Sequence, residues 1–291
     1  LVRFSPEGAR VPDRVADGSL DGAGLRYRFR LHTGRSFDDG SPITARVAAR
    51  CFRRLLDPAR PSPRRWVLER LTGAEAFREG LSSELAGVEA PDDSTLVLSL
   101  TAPFSPFTGL LAMPATRLYP VDETGVPAQV EGLPVAGGPW RIARRDRGDR
   151  ILLERRAEKA YGPHRGLPRL EFRIIPQPFT AVAEFEVGNL DLLRVPLAEA
   201  EYWLSGELAD HVLRQEELVV SYIGLNVRKA PFDDPRVRRA LNHAIDVEAL
   251  IRTLRASAAR RAHGPVPPGL RGADPAEPFR FALRAQHPAR S

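Results

Sequence analysis

Residues 26–58 carry the pattern that most restricts the fold: a strand, a turn and a helix written one after another. In Arg26-Tyr27-Arg28-Phe29-Arg30-Leu31 the apolar side chains alternate with arginines, the period of a strand with one dry face. Phe37-Asp38-Asp39-Gly40-Ser41-Pro42 then predicts a turn, because Gly admits positive φ and Asp carboxylates accept from nearby amides. Thr44 predicts an N-cap. Ala48, Phe52, Leu55 and Leu56 recur on one side of the helix that follows, and Asp57-Pro58 ends it.

The rest of the chain continues this mixture. Residues 59–87 are rich in Pro, Gly and Arg at first and then weakly helical, and a second strand, Thr95–Leu100, is entered through the turn Pro91-Asp92-Asp93-Ser94. An apolar run, Leu110-Leu111-Ala112-Met113, precedes a loop over 121–140 that holds the glycine turn Gly137-Gly138-Pro139-Trp140. Strands are predicted at 140–144, 150–154 and 170–175, and a helix from Phe179 to Val187 closed by Gly188-Asn189. Leu218–Leu225 reads as an apolar strand. Asp234 reads as the cap of a helix opening with Pro235, with Val237, Leu241, Ala244, Val247 and Ile251 along one side. Residues 255–291 show no periodicity. Without regular β-α-β alternation, these elements predict an α/β protein of mixed α+β topology and not a barrel or a doubly wound sheet.

Composition removes several function classes. The chain has 291 residues, which at ~100–200 residues per domain predicts two domains. It is 43% hydrophobic and 27% charged, too apolar for a disordered tail. No stretch approaches the ~18 consecutive apolar residues of a membrane-spanning helix. The formal net charge is +6, but lysine occurs only at 159 and 229, and the arginines run along the whole chain without one dominant block. A nucleic-acid partner is therefore not expected. Cys51 is the single cysteine, so no intrachain disulfide forms, and its helical context predicts a small buried hydrophobe. Residue 1 is Leu and no export signal follows it, which leaves a cytoplasmic protein, a mature chain or a fragment open.

No catalytic constellation stands in the sequence. The six histidines lack the His or Cys neighbours that a zinc site uses, so no metal site is expected. Ala136-Gly137-Gly138-Pro139 lacks the Lys-Ser/Thr of a phosphate loop, and no nucleophile elbow occurs. Asp38-Asp39, Asp92-Asp93 and Asp233-Asp234 fall in turns or caps, where bonding to free backbone amides accounts for them. Neither an enzymatic role nor a cofactor is expected.

Several of these marks, in this order, resemble the family 5 extracytoplasmic solute-binding proteins, which serve peptide, dipeptide and nickel ABC importers. The resemblance runs through Tyr27–Ala45 with its Phe-x-Asp-Gly-x-Pro turn, Phe52–Pro58, Gly87–Leu98 and Pro134–Trp140. It continues in Glu171–Pro176, Val187–Leu193, Tyr222–Asp246 and Gly264–Leu270. Departures are Arg46-Val47 where the family has Glu-Asp, Ala136-Gly137 for Gly-Thr, Ala157 before Tyr161-Gly162 where an Asn is usual, and no tryptophan near Val15-Ala16-Asp17. The cap and loop changes predict a less stable chain.

The resemblance implies a fold of the periplasmic-binding-protein type II kind, with two lobes and the second incomplete. It implies an N-terminal lobe extension over 1–120, a central ligand-binding lobe over 121–225, and the start of a second gripping lobe over 226–291. The implied function is capture of a peptide or similar small solute and delivery to an ABC permease, with a periplasmic or extracytoplasmic, membrane-associated location. Ligand-facing candidates on this resemblance are Arg117 as a carboxylate partner, Gly137, Gly138 and Trp140 as a loop with an apolar wall, and Asn226 at the crossover. Each keeps a plain alternative: a solvated Arg, a core Trp, an Asn capping a turn. Family members extend beyond both ends of this sequence, so the chain by itself is expected to bind ligand weakly or not at all. A ligand-sensing domain of a transcription regulator, a binder of extended segments, and a non-functional fragment stay open.

Overall fold

Strand pairing around Arg26–Leu31 organises the first half of the computed structural model, which describes residues 1–4, 10–122, 125–156, 166–214, 217–255, 259–267 and 270. β1 (Val2–Phe4) pairs with β2 (Arg10–Pro12) as a short antiparallel ribbon. β3 (Val15–Leu20), β4 (Arg26–Leu31), β5 (Val88–Glu89) and β6 (Thr95–Ser99) form an antiparallel sheet in the order β3-β4-β6-β5. The alternation in β4 has the predicted result: Tyr27, Phe29 and Leu31 are buried, and the intervening arginines are exposed. Tyr27 lies opposite Leu98 and Phe29 opposite Leu96, so the central pair contributes one continuous apolar face.

α1 (Ala45–Leu56) covers that face. Thr44 accepts from the Val47 amide at 3.3 Å, as an N-cap does, and Phe52 and Leu56 are almost fully buried. The first turn of α1 has no acid, but the Asp93 carbonyl accepts from the Ala45 amide and the Asp93 carboxylate pairs with Arg46 at 2.9 Å. A neighbouring loop thus supplies the negative group that the sequence omits at the helix start. A 3₁₀ helix over Arg65–Leu68, α2 (Ala74–Arg78) and α3 (Phe107–Leu110) complete the core, with Tyr27 tilted on Phe107 at 5.2 Å. Cys51 belongs to this core, as expected, with Sγ 3.1 Å from the Tyr119 carbonyl oxygen.

The hairpin β7 (Gln129–Val130) and β8 (Leu133–Pro134) leads into a second antiparallel sheet. It consists of β9 (Trp140–Asp146), β10 (Arg150–Arg155) and β11 (Arg169–Arg173), in the order β11-β10-β9. One face carries a ladder of ion pairs: Arg141–Glu154 at 2.8 Å, Arg144–Asp146 at 2.9 Å and Arg150–Glu171 at 3.2 Å. These elements all lie in the first compact unit, Leu1–Ile174.

The second unit, Ile175–Ser291, contains α4 (Pro178–Glu186), α5 (Ala200–Ser205), α6 (Pro235–Ala244) and α7 (Val247–Arg255). Gly188, at φ +80°, terminates α4 in the left-handed region that favours glycine. Trp203 is buried, edge-on to Phe185 at 5.6 Å, and its indole donates to Glu199 at 3.2 Å.

Two sequence expectations fail in this unit. Leu218–Leu225 is not a strand: it makes no ladder among the described residues, and Val219, Tyr222 and Ile223 are exposed. Apolar content signals a strand only when a partner edge is available. The single helix expected from Pro235 to Ile251 is two, interrupted at Ile245-Asp246, where Asp246 Oδ1 accepts from the Ala249 amide at 2.8 Å and starts a new helix. The Asp234 cap stands, its carboxylate accepting from the Arg236 amide at 2.8 Å. The Ala157 and Tyr161-Gly162 departures and residues 271–291 lie outside the described residues. No described helix is long and apolar enough to cross a membrane.

Candidate functional site

The Phe37–Pro42 turn and the Val135–Trp140 loop, far apart in sequence, are clamped together. The Asp38 amide donates to the Ala136 carbonyl at 3.0 Å, and the Ala136 amide donates back to Asp38 Oδ1 at 2.9 Å. Beneath this exchange Phe37, Ile43 and Val135 form a small separate core, with Leu118 packed against it. Gly137 sits where a side chain would be crowded: a Cβ would lie 3.0 Å from two Phe37 ring carbons and 3.3 Å from Ile43 Cδ1. Gly138 differs, since a Cβ there would meet only the Trp140 amide, at 4.0 Å.

Arg156, buried at the end of β10, locks the clamp. Its guanidinium donates to the carbonyls of Ser36 at 3.1 Å, Phe37 at 2.9 Å and Gly138 at 3.2 Å, and reaches Ala136 at 3.4 Å. Its own amide donates to the Pro139 carbonyl at 2.9 Å. One planar cation with five N–H donors satisfies a ring of carbonyls that no neutral side chain of that size matches. Sequence reasoning missed this residue. In a chain with this many arginines, Arg155-Arg156 carries no local signal separating a buried cross-link from a solvated strand end.

Each sequence-derived candidate has a definite setting. Trp140 opens β9 half-buried, opposite Arg155, whose guanidinium carbon lies 5.8 Å from the indole centroid. Arg117 is exposed and lies over the Tyr119 ring at 5.5 Å, and its neighbour Leu118 packs on the same small core that bounds Gly137. Arg117 and the glycine loop are therefore mounted on one support. Asn226 lies in the second unit and is exposed. Its Oδ1 accepts from the Arg228 amide at 3.0 Å and its carbonyl from the Lys229 amide at 3.1 Å, so it orders a turn.

A cavity of about 580 Å³ adjoins the clamp, lined by residues including His32, Arg35, Ser36, Thr44, Asp92 and Asp93. Its charged groups are largely engaged. Arg35 donates to the Asp13 carbonyl at 3.1 Å, and Asp92 accepts from the Ser94 hydroxyl and amide and from the Thr95 amide. Those bonds, the Ser94 hydroxyl foremost, hold the Asp92 carboxyl down to about 2. Cys51 is the reverse case: burial pushes its thiol up to about 11, which leaves it a neutral, inert core group. Among the described residues no cluster of His, Cys, Asp and Glu is arranged to hold a metal ion. The arrangement can hold polar and apolar groups by contact and hydrogen bonding.

The profile of the bacterial extracellular solute-binding proteins, family 5 Middle, matches residues 11–287. Among curated proteins the chain is 27% identical over 285 residues to heme-binding protein A of Haemophilus influenzae, covering 92% of this chain and 51% of that one. It is 28% identical over 263 residues to the glutathione-binding protein GsiB of Escherichia coli, covering 89% and 48%. The chain thus spans about half the length of the curated relatives it matches. Among solved structures, the Escherichia coli murein tripeptide binding protein MppA superimposes with a TM-score of 0.78 at 24% identity, over 92% of this chain and 54% of that one. Burkholderia pseudomallei OppA gives 0.77 at 22%, over 94% and 54%. These likenesses place the mixed sheet-and-helix architecture in the periplasmic-binding-protein type II fold. With the profile spanning nearly the whole sequence and the clamp joining two of the motifs that carry the likeness, the chain belongs to the family 5 bacterial extracellular solute-binding proteins.

Proposed function

We propose that this chain is part of the substrate-binding component of an ABC importer, working outside the cytoplasmic membrane. It captures a peptide or similar small solute between two lobes, hands it to a membrane permease, and does not transform it. The observation that carries this reading is the family match over residues 11–287. The named ligands of the relatives, a heme, glutathione and a murein tripeptide, support a small polar or amphipathic solute and do not single one out.

The division by role is residues 1–120 as the lobe extension, 121–225 as the central ligand-binding lobe, and 226–291 as the beginning of the second gripping lobe. Within it Arg117 supplies a positive charge and Trp140 an apolar wall, while Gly137 and Gly138 hold the loop close to its support and keep one side open. Asn226 orders the turn at which the second lobe starts.

Closure follows from differential contact. A solute biases the closed form only by what it binds better there than in the open form. Converting a 1:99 population to 99:1 requires about 5.5 kcal/mol of such difference. A rigid clamp serves this end, since a wall that is already ordered loses little freedom when the solute arrives. Calorimetry with di- to pentapeptides, glutathione and heme tests the reading on protein expressed from its complete reading frame. Saturable one-to-one binding of a solute recovered unchanged supports it, and steady consumption of the solute contradicts it.

A further inference from the structure

Surface cations in the first unit are unevenly paired. Arg26, Arg46, Arg78 and Arg141 each form an ion pair with a nearby carboxylate. Arg50 and Arg53 on the outer side of α1, and Arg64 and Arg65 at the entry to the 3₁₀ helix, are exposed and meet no carboxylate among the described residues. From Arg50 to Trp66 the sequence has six arginines and a single acid, Asp57, which is occupied by the Ala59 amide at 2.9 Å.

The two ends of the stretch are neighbours that pack on the same core. Arg54 Nη1 donates to the Arg60 carbonyl at 3.0 Å, tying the helix to the segment that follows it. The 3₁₀ helix is anchored by Val67 and Leu68, which are buried in the same core as Phe52 and Leu56. Trp66, between Arg65 and that anchor, stays 48% exposed. Exposed cations without counter-charges repel one another, and an anionic partner removes that cost. Neither the cavity beside the clamp nor the smaller one at Glu69 and Arg78 is lined by these arginines. A planar array of phosphates needs no pocket, and an exposed tryptophan next to two arginines suits the boundary between headgroups and acyl chains.

We propose that this face docks on a bilayer of anionic phospholipid, with Arg50, Arg53, Arg64 and Arg65 over headgroup phosphates and Trp66 inserted at headgroup depth. The test is co-sedimentation of the full chain with vesicles of phosphatidylcholine containing phosphatidylglycerol, against phosphatidylcholine alone. Binding to the anionic vesicles only, weakened by added salt, is expected. The combined Arg50→Gln, Arg53→Gln, Arg64→Gln and Arg65→Gln variant should lose ~100-fold or more in partitioning. A control, Arg145→Gln with Arg147→Gln, removes two other exposed arginines and should partition within about twofold of the parent, since these lie on β9 and the turn after it. The blue shift of tryptophan emission on binding should shrink in Trp66→Phe. Circular dichroism confirms that each variant is folded. Equal binding to neutral vesicles, full retention by the four-arginine variant, or capture by immobilised polyglutamate without vesicle binding would overturn the proposal, the last pointing to an acidic protein instead.

Discussion

Arg156 Nη2 donates to the Phe37 carbonyl oxygen at 2.9 Å, joining groups 119 positions apart in the chain. The bond ties the end of one sheet to the turn that precedes α1, and the remaining donors close on Ser36, Ala136 and Gly138. Replacing Arg156 by Ala leaves these carbonyls without their shared donor, at a cost of about 3–5 kcal/mol. Arg156→Lys should recover only part of this, because an ammonium is a point charge and does not span the ring. Urea titration followed by circular dichroism measures both.

Gly137 and Gly138 are neighbours with opposite prospects. Gly137→Ala forces a methyl against the Phe37 ring and Ile43, and should destabilise by about 1–3 kcal/mol. Gly138→Ala meets only the Trp140 amide at ordinary contact distance and should change stability by less than about 0.5 kcal/mol. Thermal midpoints of the two variants, measured side by side, check the contrast.

Asp92 makes stability depend on acid in a defined window. Its folded carboxyl titrates at about 2, below the ordinary aspartate value of ~3.9, so its contribution is complete above about pH 4 and lost as pH falls toward 2. Asp92→Asn should flatten the fall in the urea midpoint across that interval while leaving the dependence at neutral pH unchanged. An equal acid slope in the two proteins would show that the turn at Ser94 and Thr95 does not hold the carboxylate.

Cys51 should be silent in the native state. Burial keeps its thiol protonated up to about pH 11, so a thiol reagent at pH 8 should label it only in denaturant, at a rate set by unfolding. Rapid labelling of the folded protein would place the thiol outside the core.

The parts of this architecture that sequence reasoning reached are those whose signal is local. β4 and α1 follow from the period of their own side chains, and Thr44, Asp234 and Gly188 act as caps because capping is decided within a few residues. Leu218–Leu225 was not legible in the same way, since apolar content does not say whether a partner strand is present. The break at Ile245-Asp246 had a readable sign, an Asp with Glu248 in the next turn, but apolar residues at 241, 244, 247 and 251 kept the helical period running across it. The clamp is the instructive case. Both of its segments were recognisable as turns, yet Arg156 looked like any other arginine, because its role depends on carbonyls brought together only by the fold.

The proposal that this chain is part of a protein that clasps a solute and leaves it unaltered can be checked by calorimetric titration of the complete-frame protein and its Trp140→Ala and Arg117→Ala variants against the solute panel. A single saturable site at micromolar affinity or tighter is expected, weakened ~10-fold or more by Trp140→Ala and by Arg117→Ala for a carboxylate-bearing solute. Absence of binding across the panel, or binding that neither substitution changes, would contradict it.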